Sequence, residues 1–259
     1  MAKKYPVSAF IIAKNEEDRI GYSLKSVRDW VDEVIVIDSG STDNTVSLSK
    51  EMGASVVFNA WPGYGQQKIF GENLCRNHWL LNLDADEAVD ETLKQSIQSL
   101  FDQGEIPHKA YHIPIKIMPT YATKPGRFAP SNDPIRFYDK RYAGFKDSTV
   151  HDSVVLKPGV TASIGKLKGC MAHRCFRSLS HAVEKINFYS SMQAEDLVNR
   201  GKRPAAVRIL VEPFFAFSKA YFLRRYWMLG ISGFVESFVY SFARTLRLAK
   251  TRETFQQQK

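Results

Sequence analysis

The chain has 259 residues, enough for one large domain or two small ones, and its 44% hydrophobic and 12% aromatic content excludes disorder as the default. The formal net charge is +9, and all of this excess lies in residues 200–259, which contain 12 Lys or Arg and 3 Asp or Glu, while the remainder has 24 of each. This asymmetry predicts a polyanionic partner, either nucleic acid or an anionic lipid surface.

The N-terminal apolar run is at the short limit for a signal peptide. Residues 7–13 give way to charged residues with no cleavage-like site, so we expect a first strand and a protein that stays in the cytoplasm. The three cysteines, Cys75, Cys170 and Cys175, are too few and odd in number for a disulfide framework, which predicts free thiols in a reducing compartment.

Strand-like and helix-like segments alternate through the first sixty residues. Apolar strands are predicted over 7–13, 34–37 and 54–58, a helix begins at Asn15, and a second helix lies near 45–52. Two successive strand–helix units predict an α/β fold, in which a parallel sheet is connected by crossover helices.

A short apolar run over 79–83 ends on three carboxylates, Asp84, Asp86 and Glu87. Ligands of α/β sheets bind beyond the carboxyl ends of the strands, and side chains two apart on an extended segment point to the same side. Asp84 and Asp86 could therefore share one divalent cation, Mg²⁺ or Mn²⁺. The alternative is an acidic turn in which Asp86 or Asp90 caps the next helix.

Polar residues recur where the predicted strands end. Asn15, Asp38 and Ser39 follow the first two strands, and Asp84 and Asp86 follow a later one, so these side chains are expected on one rim of the sheet. The alternative role for Asp38 is an Asx-turn or helix cap in its own loop, and both roles are compatible.

Three motifs in order carry a family resemblance: Ile12-Ala13-Lys14-Asn15-Glu16, Val34-Ile35-Val36-Ile37-Asp38-Ser39-Gly40-Ser41-Thr42-Asp43-Asn44-Thr45 and Leu83-Asp84-Ala85-Asp86-Glu87. The chain resembles family 2 glycosyltransferases. The resemblance implies a GT-A (Rossmann-like) nucleotide-sugar-binding fold, α/β with a mixed central sheet. It also implies a nucleotide-sugar donor and a divalent cation, Mg²⁺ or Mn²⁺. One departure is Ser39, where many members have a second Asp.

Residues 61–68 and 150–152 look like a narrower branch, the lipopolysaccharide core β-1,4-glucosyltransferases. That resemblance implies transfer of glucose from UDP-glucose to an inner-core heptose, a lipid-linked acceptor, at the cytoplasmic face of a bacterial inner membrane. Asp152 departs from this branch, which more often has Glu there.

The resemblance and the residue chemistry together assign roles to the rim. A uridine needs acceptors for its imide N–H and its ribose hydroxyls, which carboxylates at strand ends supply. The expected nucleotide-sugar ligands are Ala13, Asn15, Glu16, Asp38, Gln66, Lys68 and Asp84. The expected metal ligands are Asp86 and Asp84, to which His173 is a possible addition.

The loop 63–65 is expected to close over the base, with Tyr64 as a stacking face. Lys68 is expected to offset diphosphate charge, and its alternative is an ordinary solvated lysine.

Transfer with inversion requires a base that takes the proton from the acceptor hydroxyl. Asp152 is the expected catalytic base, although from the residue alone it could be a surface strand residue. His151 points to the opposite face if the segment is extended, which predicts a structural or pocket-wall role. The middle region should hold the acceptor pocket, where Tyr121, Phe128 and Tyr142 could stack on sugars or act as core aromatics.

The last sixty residues change in character. Charges interrupt the apolar run 209–229, so a transmembrane helix is not predicted. Beyond it a basic amphipathic helix is expected to lie in a membrane interface, its apolar face formed by Val235, Phe238, Val239, Phe242, Leu246 and Ala249. The alternative is a helical hairpin that packs on the core with a solvated basic side. Nucleic acid fits less well, because the aromatics cluster in apolar blocks instead of alternating with basic residues.

The predicted division has three parts: a nucleotide-sugar-binding subdomain over 1–108, an acceptor subdomain over 109–199 and basic amphipathic helices over 200–259. The predicted protein is an inverting glycosyltransferase, peripheral on the inner membrane through residues 201–259. Two other classes stay open: a nucleotidyltransferase with an acidic metal pair, and a non-enzymatic membrane- or nucleic-acid-binding protein.

Overall fold

The computed structural model describes residues 3–118, 124–126, 129, 131–147 and 153–257. Its strands are β1 (Tyr5–Ala13), β2 (Val31–Asp38), β3 (Ser55–Phe58), β4 (Trp79–Asp84), β5 (Glu87–Val89), β6 (Ala110–His112), β7 (Ile115–Ile117), β8 (Ser131–Asn132), β9 (Ile135–Asp139), β10 (Ala143–Phe145), β11 (Val154–Leu156), β12 (Ile164–Lys166) and β13 (Met171–His173). Its α-helices are α1 (Ile20–Val27), α2 (Thr45–Glu51), α3 (Tyr64–Leu74), α4 (Glu91–Asp102), α5 (Leu179–Asn199), α6 (Ala206–Ser218) and α7 (Gly230–Gln257). Between α6 and α7 lie a π-helical turn, Lys219–Leu223, and a 3-10 turn, Tyr226–Leu229.

The central sheet has seven strands in the order β12-β6-β9-β4-β1-β2-β3. β1 is parallel to β2 and β4, and β3 is parallel to β2, as the strand–helix alternation predicts. On the other side of β4, β9 runs antiparallel to both β4 and β6. The predicted α/β fold with a mixed central sheet is therefore confirmed.

The strand β1 is buried on both faces, which explains its nearly continuous apolar sequence. Ala9 and Ile11 belong to a core that includes Leu24 of α1. Phe10 and Ile12 face the opposite core, because side chains alternate along a strand.

A four-stranded sheet, β5-β13-β7-β8, holds the chain that follows the acidic motif. β5 pairs antiparallel with β13, which places His173 opposite Glu87. Asp90 caps α4, since its Oδ1 accepts the Leu93 N–H at 2.7 Å. The capping alternative is therefore right for Asp90 and leaves the roles of Asp84 and Asp86 open.

The chain divides into two compact units, Met1–Lys116 with Ser131–His173, and Ile117–Pro130 with Arg174–Lys259. The second unit contains α5, α6 and α7, and α7 packs against both other helices. Among the described residues no helix combines the length and apolarity needed to cross a membrane. The three-part division at residues 108 and 199 stays a prediction.

Two local expectations are wrong. The helix predicted from Asn15 begins at Ile20, because residues 15–19 form a turn that is tied to the loop after β2. The expected loop 63–65 is helical from Tyr64 onward. Within residues 63–65, Gly63 alone, with φ of 133°, adopts a backbone conformation that favours glycine.

Candidate functional site

The strand register gathers the predicted polar residues at one edge of the sheet. Ala13 pairs with Asp38 across β1 and β2, and Ile12 pairs with Asp84 across β1 and β4. The Ala13 carbonyl accepts the Ser39 N–H at 3.0 Å, which holds the ends of β1 and β2 together. The parallel strands therefore present Asp38 and Asp84 on a common rim, as predicted.

Asp38 is buried and bound to its own loop. Its Oδ2 accepts the backbone N–H groups of Gly40 at 2.9 Å and Ser41 at 3.1 Å, and its Oδ1 accepts the Ser41 hydroxyl. The Asx-turn alternative is thus present in the structure. A carboxylate offers about four acceptor positions, so the nucleoside role of Asp38 stays a prediction compatible with this turn.

Asn15 stands at the centre of the turn after β1. Its φ of 56° lies in the left-handed region, which Asn tolerates better than most residues. Its Oδ1 accepts the Thr42 N–H at 2.8 Å, and its own N–H donates to the Ser41 hydroxyl at 2.9 Å. The loops after β1 and β2 therefore form one hydrogen-bonded surface along the rim.

Asp84 is held between two cations. Lys68 Nζ lies 2.8 Å from Asp84 Oδ1, and Arg136 Nη2 donates to Oδ2 at 2.9 Å. Burial opposes ionisation of Asp84, but the charges of Arg136 and Lys68 outweigh it and hold the carboxyl pKa well below its usual range. Lys68 is fully buried, so the solvated-lysine alternative is wrong.

Arg136 is a buried member of the site that the sequence reasoning missed. From the antiparallel strand β9 it also contacts Asn82 and donates to Glu87 Oε1 at 3.1 Å. Burial raises the pKa of Glu87, although the Arg136 charge opposes this shift. The signal that could have identified Arg136 is its position within the strand β9, whose residues are all buried, since a buried arginine requires an anionic partner.

Asp86 has a different set of partners from Asp84. Its Oδ2 accepts from Arg19 Nη1 at 3.1 Å, and its Oδ1 lies 3.4 Å from His173 Nε2. Arg19 is itself clamped by Glu16, whose two oxygens accept from Nε and Nη2 at 2.8 Å each. Glu16 thus acts through Arg19 on the acidic motif, a connection that residue spacing alone did not reveal.

The donors around Asp86 fit a small hard cation. Neighbouring ligands of an octahedral Mg²⁺ lie about 3 Å apart, close to the separation of Asp86 Oδ1 and His173 Nε2. The described part of the chain has no cluster of three or more His, Cys, Asp or Glu side chains for one ion. Such cations commonly take one or two protein ligands and complete their shell with substrate phosphates and water. Both oxygens of Asp84 are already paired with cations, so Asp86 fits the ion better.

The start of α3 contributes two glutamines. Gln67 is buried and donates to the Ser39 hydroxyl at 2.9 Å, a contact that the sequence did not predict. Gln66 donates to Asp147 at 2.6 Å, while its buried Oε1 has no hydrogen-bond partner among the described residues. An unused acceptor in the residue before Gln67, which itself contacts the loop after β2, is consistent with the predicted role of Gln66 in donor binding.

Some predicted residues lie outside the described part of the chain. These are Asp152, His151, Tyr121 and Phe128. Tyr142 is described, and Lys109 Nζ lies 5.3 Å from the centre of its ring. The catalytic and acceptor-stacking roles of these residues stay predictions.

Comparisons with known proteins agree with the motifs. The family model Glycosyl transferase family 2 matches residues 8–154. An uncharacterized glycosyltransferase of Rickettsia bellii is 45% identical over 95% of this chain and 86% of its own length. The lipopolysaccharide core biosynthesis glycosyltransferase LpsC of Rhizobium meliloti is 31% identical over 93% of this chain and 91% of its own.

Among solved structures, that of S. aureus TarS 1-349 aligns with a TM-score of 0.47 and 14% identity over 98% of this chain and 92% of that one. The family model covers more than half of the chain, and relatives at and above 30% identity cover nearly all of it. This chain belongs to glycosyltransferase family 2.

Proposed function

We propose that this glycosyltransferase inverts the anomeric centre and transfers glucose from UDP-glucose to a lipid-linked saccharide, an inner-core heptose of bacterial lipopolysaccharide. The observation that carries the proposal is the rim itself, where Asp38 and Asp84 end two strands that are both parallel to β1, and Asp86 follows Asp84 by two residues. The similarity to a lipopolysaccharide core glycosyltransferase supports the acceptor class. Family membership excludes the alternatives of a nucleotidyltransferase and a non-enzymatic binding protein.

The donor would bind along the loops after β1 and β2. Asp38, Asn15 and the backbone of Ala13 would receive the nucleoside, while Glu16 acts through Arg19. Lys68 and Arg136 would place positive charge next to the diphosphate through their contacts with Asp84. Gln66 offers an unused buried acceptor that could receive a donor hydroxyl.

A divalent cation, Mg²⁺ or Mn²⁺, would neutralise the diphosphate as it leaves. Asp86 and His173 are the side chains that would hold it, and Asp84 would support them as the second predicted carboxylate. Arg19 fixes Asp86 Oδ2 and so directs Oδ1 toward His173.

Asp152 would remove the proton from the acceptor hydroxyl as the anomeric carbon is attacked. This role rests on the resemblance of residues 150–152 to the core glucosyltransferase branch and on the need of an inverting reaction for a base.

Residues 201–259 would bind an anionic membrane surface and keep the enzyme on the cytoplasmic face of the inner membrane. The concentration of basic residues in this segment supports the assignment, because each Lys or Arg near an anionic bilayer adds about 1 kcal/mol of binding.

The test is a product assay with a panel of sugar nucleotides, a heptose-terminated lipopolysaccharide core as acceptor, and Mg²⁺, Mn²⁺ or a chelator. We expect UDP release and glucose transfer from UDP-glucose that the chelator abolishes. Preference for another sugar nucleotide would contradict the donor, and chelator-resistant transfer would contradict the cation. Near-normal transfer by Asp152→Ala would contradict the base assignment. Asp102→Asn, a surface carboxylate paired with Lys3, is the control.

A further inference from the structure

The helix α6 exposes one continuous apolar face. The exposed positions repeat at intervals of three and four residues, which is the period of one helical face. They are Val207, Leu210, Val211, Phe214 and Phe215. The helices of a soluble protein normally bury their apolar face. In α6 this face is exposed instead.

The connection between α6 and α7 also exposes large apolar side chains, next to the exposed basic residues Lys219 and Arg225. Its exposed side chains are Phe222, Leu223, Trp227, Met228 and Ile231. Contiguous apolar surface of this extent marks an interaction site on an otherwise soluble protein.

The first half of α7 continues the same pattern. Phe234, Phe238 and Phe242, four residues apart, are exposed, whereas the buried positions are the small residues Gly233 and Ser237 and, one turn further, Ser241. A Cβ on Gly233 would lie 1.8 Å from the Tyr226 carbonyl oxygen, so only glycine permits this close approach. We call residues 206–242 the apolar hairpin.

The contacts that join α6 to α7 include two polar ones, beside an aromatic contact in which the Phe217 and Phe234 ring centres lie 5.4 Å apart. Glu212 is 6% exposed and accepts from Arg244 Nε at 2.8 Å. The Ser241 hydroxyl donates to the Pro213 carbonyl at 2.8 Å. Small residues and polar contacts between helices, with large apolar side chains outside, are typical of helices that pack within lipid.

Two members of the predicted apolar face of the amphipathic helix, Phe238 and Phe242, are exposed, as an interfacial face requires. The basic residue Arg244 of the same helix pairs with Glu212 of α6. The large apolar side chains of α6 and of the first half of α7 are exposed, whereas the alternative of a core-packing hairpin expects its apolar side to be covered.

The surrounding charges indicate that a lipid bilayer, and not a second copy of the chain, covers the exposed apolar surface of the hairpin. Exposed Lys202, Arg203 and Arg208 lie at the beginning of α6, and exposed Lys219 and Arg225 lie beyond its end. Two copies would bring together segments that each have an excess of nine positive charges, whereas anionic lipid headgroups complement them.

The length of α6 limits how deeply the hairpin can enter a bilayer. Its 13 residues span about 20 Å, less than the hydrocarbon core of about 30 Å, and basic side chains at both ends can reach toward headgroups. We propose that the apolar hairpin inserts into the hydrocarbon region of one leaflet, with its polar contacts inside and its aromatic side chains in lipid. The proposal deepens the membrane-binding part of the proposed function and is independent of the donor and acceptor.

The first test is flotation with vesicles of phosphatidylcholine and phosphatidylglycerol in equal parts, at low salt and at about 1 M salt, where electrostatic attraction is screened. We expect the full chain to float under both conditions. Replacing Phe215 and Phe238 together by Ser should reduce lipid partitioning about tenfold or more. Phe58→Ser is the matched control, because Phe58 and Phe215 are both 66% exposed. Equal thermal melts of the variants would show that folding is retained.

The second test measures depth. In a Trp61→Phe variant, lipids brominated on the acyl chain should quench the emission of Trp227, which is 52% exposed. Unquenched Trp227, or flotation that salt abolishes and the Phe→Ser changes leave intact, would overturn insertion but leave surface binding standing. Dimers that the Phe→Ser changes dissociate, without flotation, would identify a second copy as the occupant and also overturn the proposal. Glucose transfer to a detergent-dispersed acceptor tests the proposed reaction separately.

Discussion

The rim of the first unit and the apolar hairpin of the second both contain buried ion pairs, but their surroundings are opposite. On the rim, Lys68 is buried under a sheet edge whose outer side is polar, and its partner Asp84 is partly open to solvent. In the hairpin, Glu212 is buried between helices whose outer side is apolar. A charge pair near a polar edge can meet a charged ligand, whereas the Glu212–Arg244 pair, whose carboxylate is buried between two helices, mainly orients those helices.

The largest expected effect is on catalysis at the rim. Asp86→Asn should reduce glucose transfer about a thousandfold, on the order of 4 kcal/mol of barrier, because the carboxylate next to His173 becomes neutral. Steady-state transfer assays and Mn²⁺ binding in the presence of UDP would measure it. The melting temperature should change little, since Arg19 keeps its contacts with Glu16. Unchanged Mn²⁺ binding would contradict the assignment of Asp86.

Removing the buried cation of the rim should reduce stability next. Lys68→Met leaves Asp84 with Arg136 as its cation, and we expect a loss of about 3 kcal/mol in the free energy of unfolding. Urea denaturation would measure it. Lys94→Met, at an exposed pair with Glu91, is the control and should change stability by about 0.5 kcal/mol or less. Equal effects of the two variants would show that burial is irrelevant.

Breaking the ion pair of the hairpin should reduce stability less than breaking that of the rim. Glu212→Ala should cost about 2 kcal/mol in detergent, because the Arg244 side chain is 37% exposed and can turn toward water. Asp196→Ala, which removes an exposed partner of Arg200 at 2.9 Å, is the matched control. A loss larger than that of Lys68→Met would reverse the comparison.

The smallest expected effect is a pH dependence in the core of the first unit. Burial raises the pKa of Glu72, although hydrogen bonds from Tyr138 and the Phe145 N–H oppose the shift. The folded state therefore holds this proton to higher pH than the unfolded state, and stability should fall as pH rises from about 4.3 through the folded-state pKa. Glu72→Gln should flatten this dependence, as urea denaturation at several pH values would show. An unchanged slope would contradict the shift.

Much of the first unit could be predicted from local patterns. Apolar runs that end on Asp38 and Asp84 predict parallel strands with a common polar edge, because buried strands need continuous apolar sequence and their carboxyl ends align. The beginning of α1 could not be predicted from pattern. The polar residues 15–19 are compatible with a helical turn, and only the hydrogen bonds to the loop after β2 select the observed turn.

The partners of the acidic motif could not be derived from residue spacing for a related reason. Arg19, Arg136 and His173 come from three separate parts of the chain, and only His173 was expected near Asp86, through the family resemblance. The antiparallel strand β9 and the pairing of β13 with β5 bring two of them there, and such long-range pairings leave no local trace.

The sequence by itself determined the family, the order of the strands along the chain, the acidic motif and the basic apolar C-terminal segment, since composition and short motifs encode these directly. Only the tertiary structure decided which cations hold each carboxylate and which faces of α6 and α7 are turned outward. Helical periodicity defines faces but not their environment. Packing decides it: the Glu212–Arg244 pair and the hydrogen bond from Ser241 to the Pro213 carbonyl join the polar sides of α6 and α7, while Phe214, Phe215, Phe238 and Phe242 stay exposed.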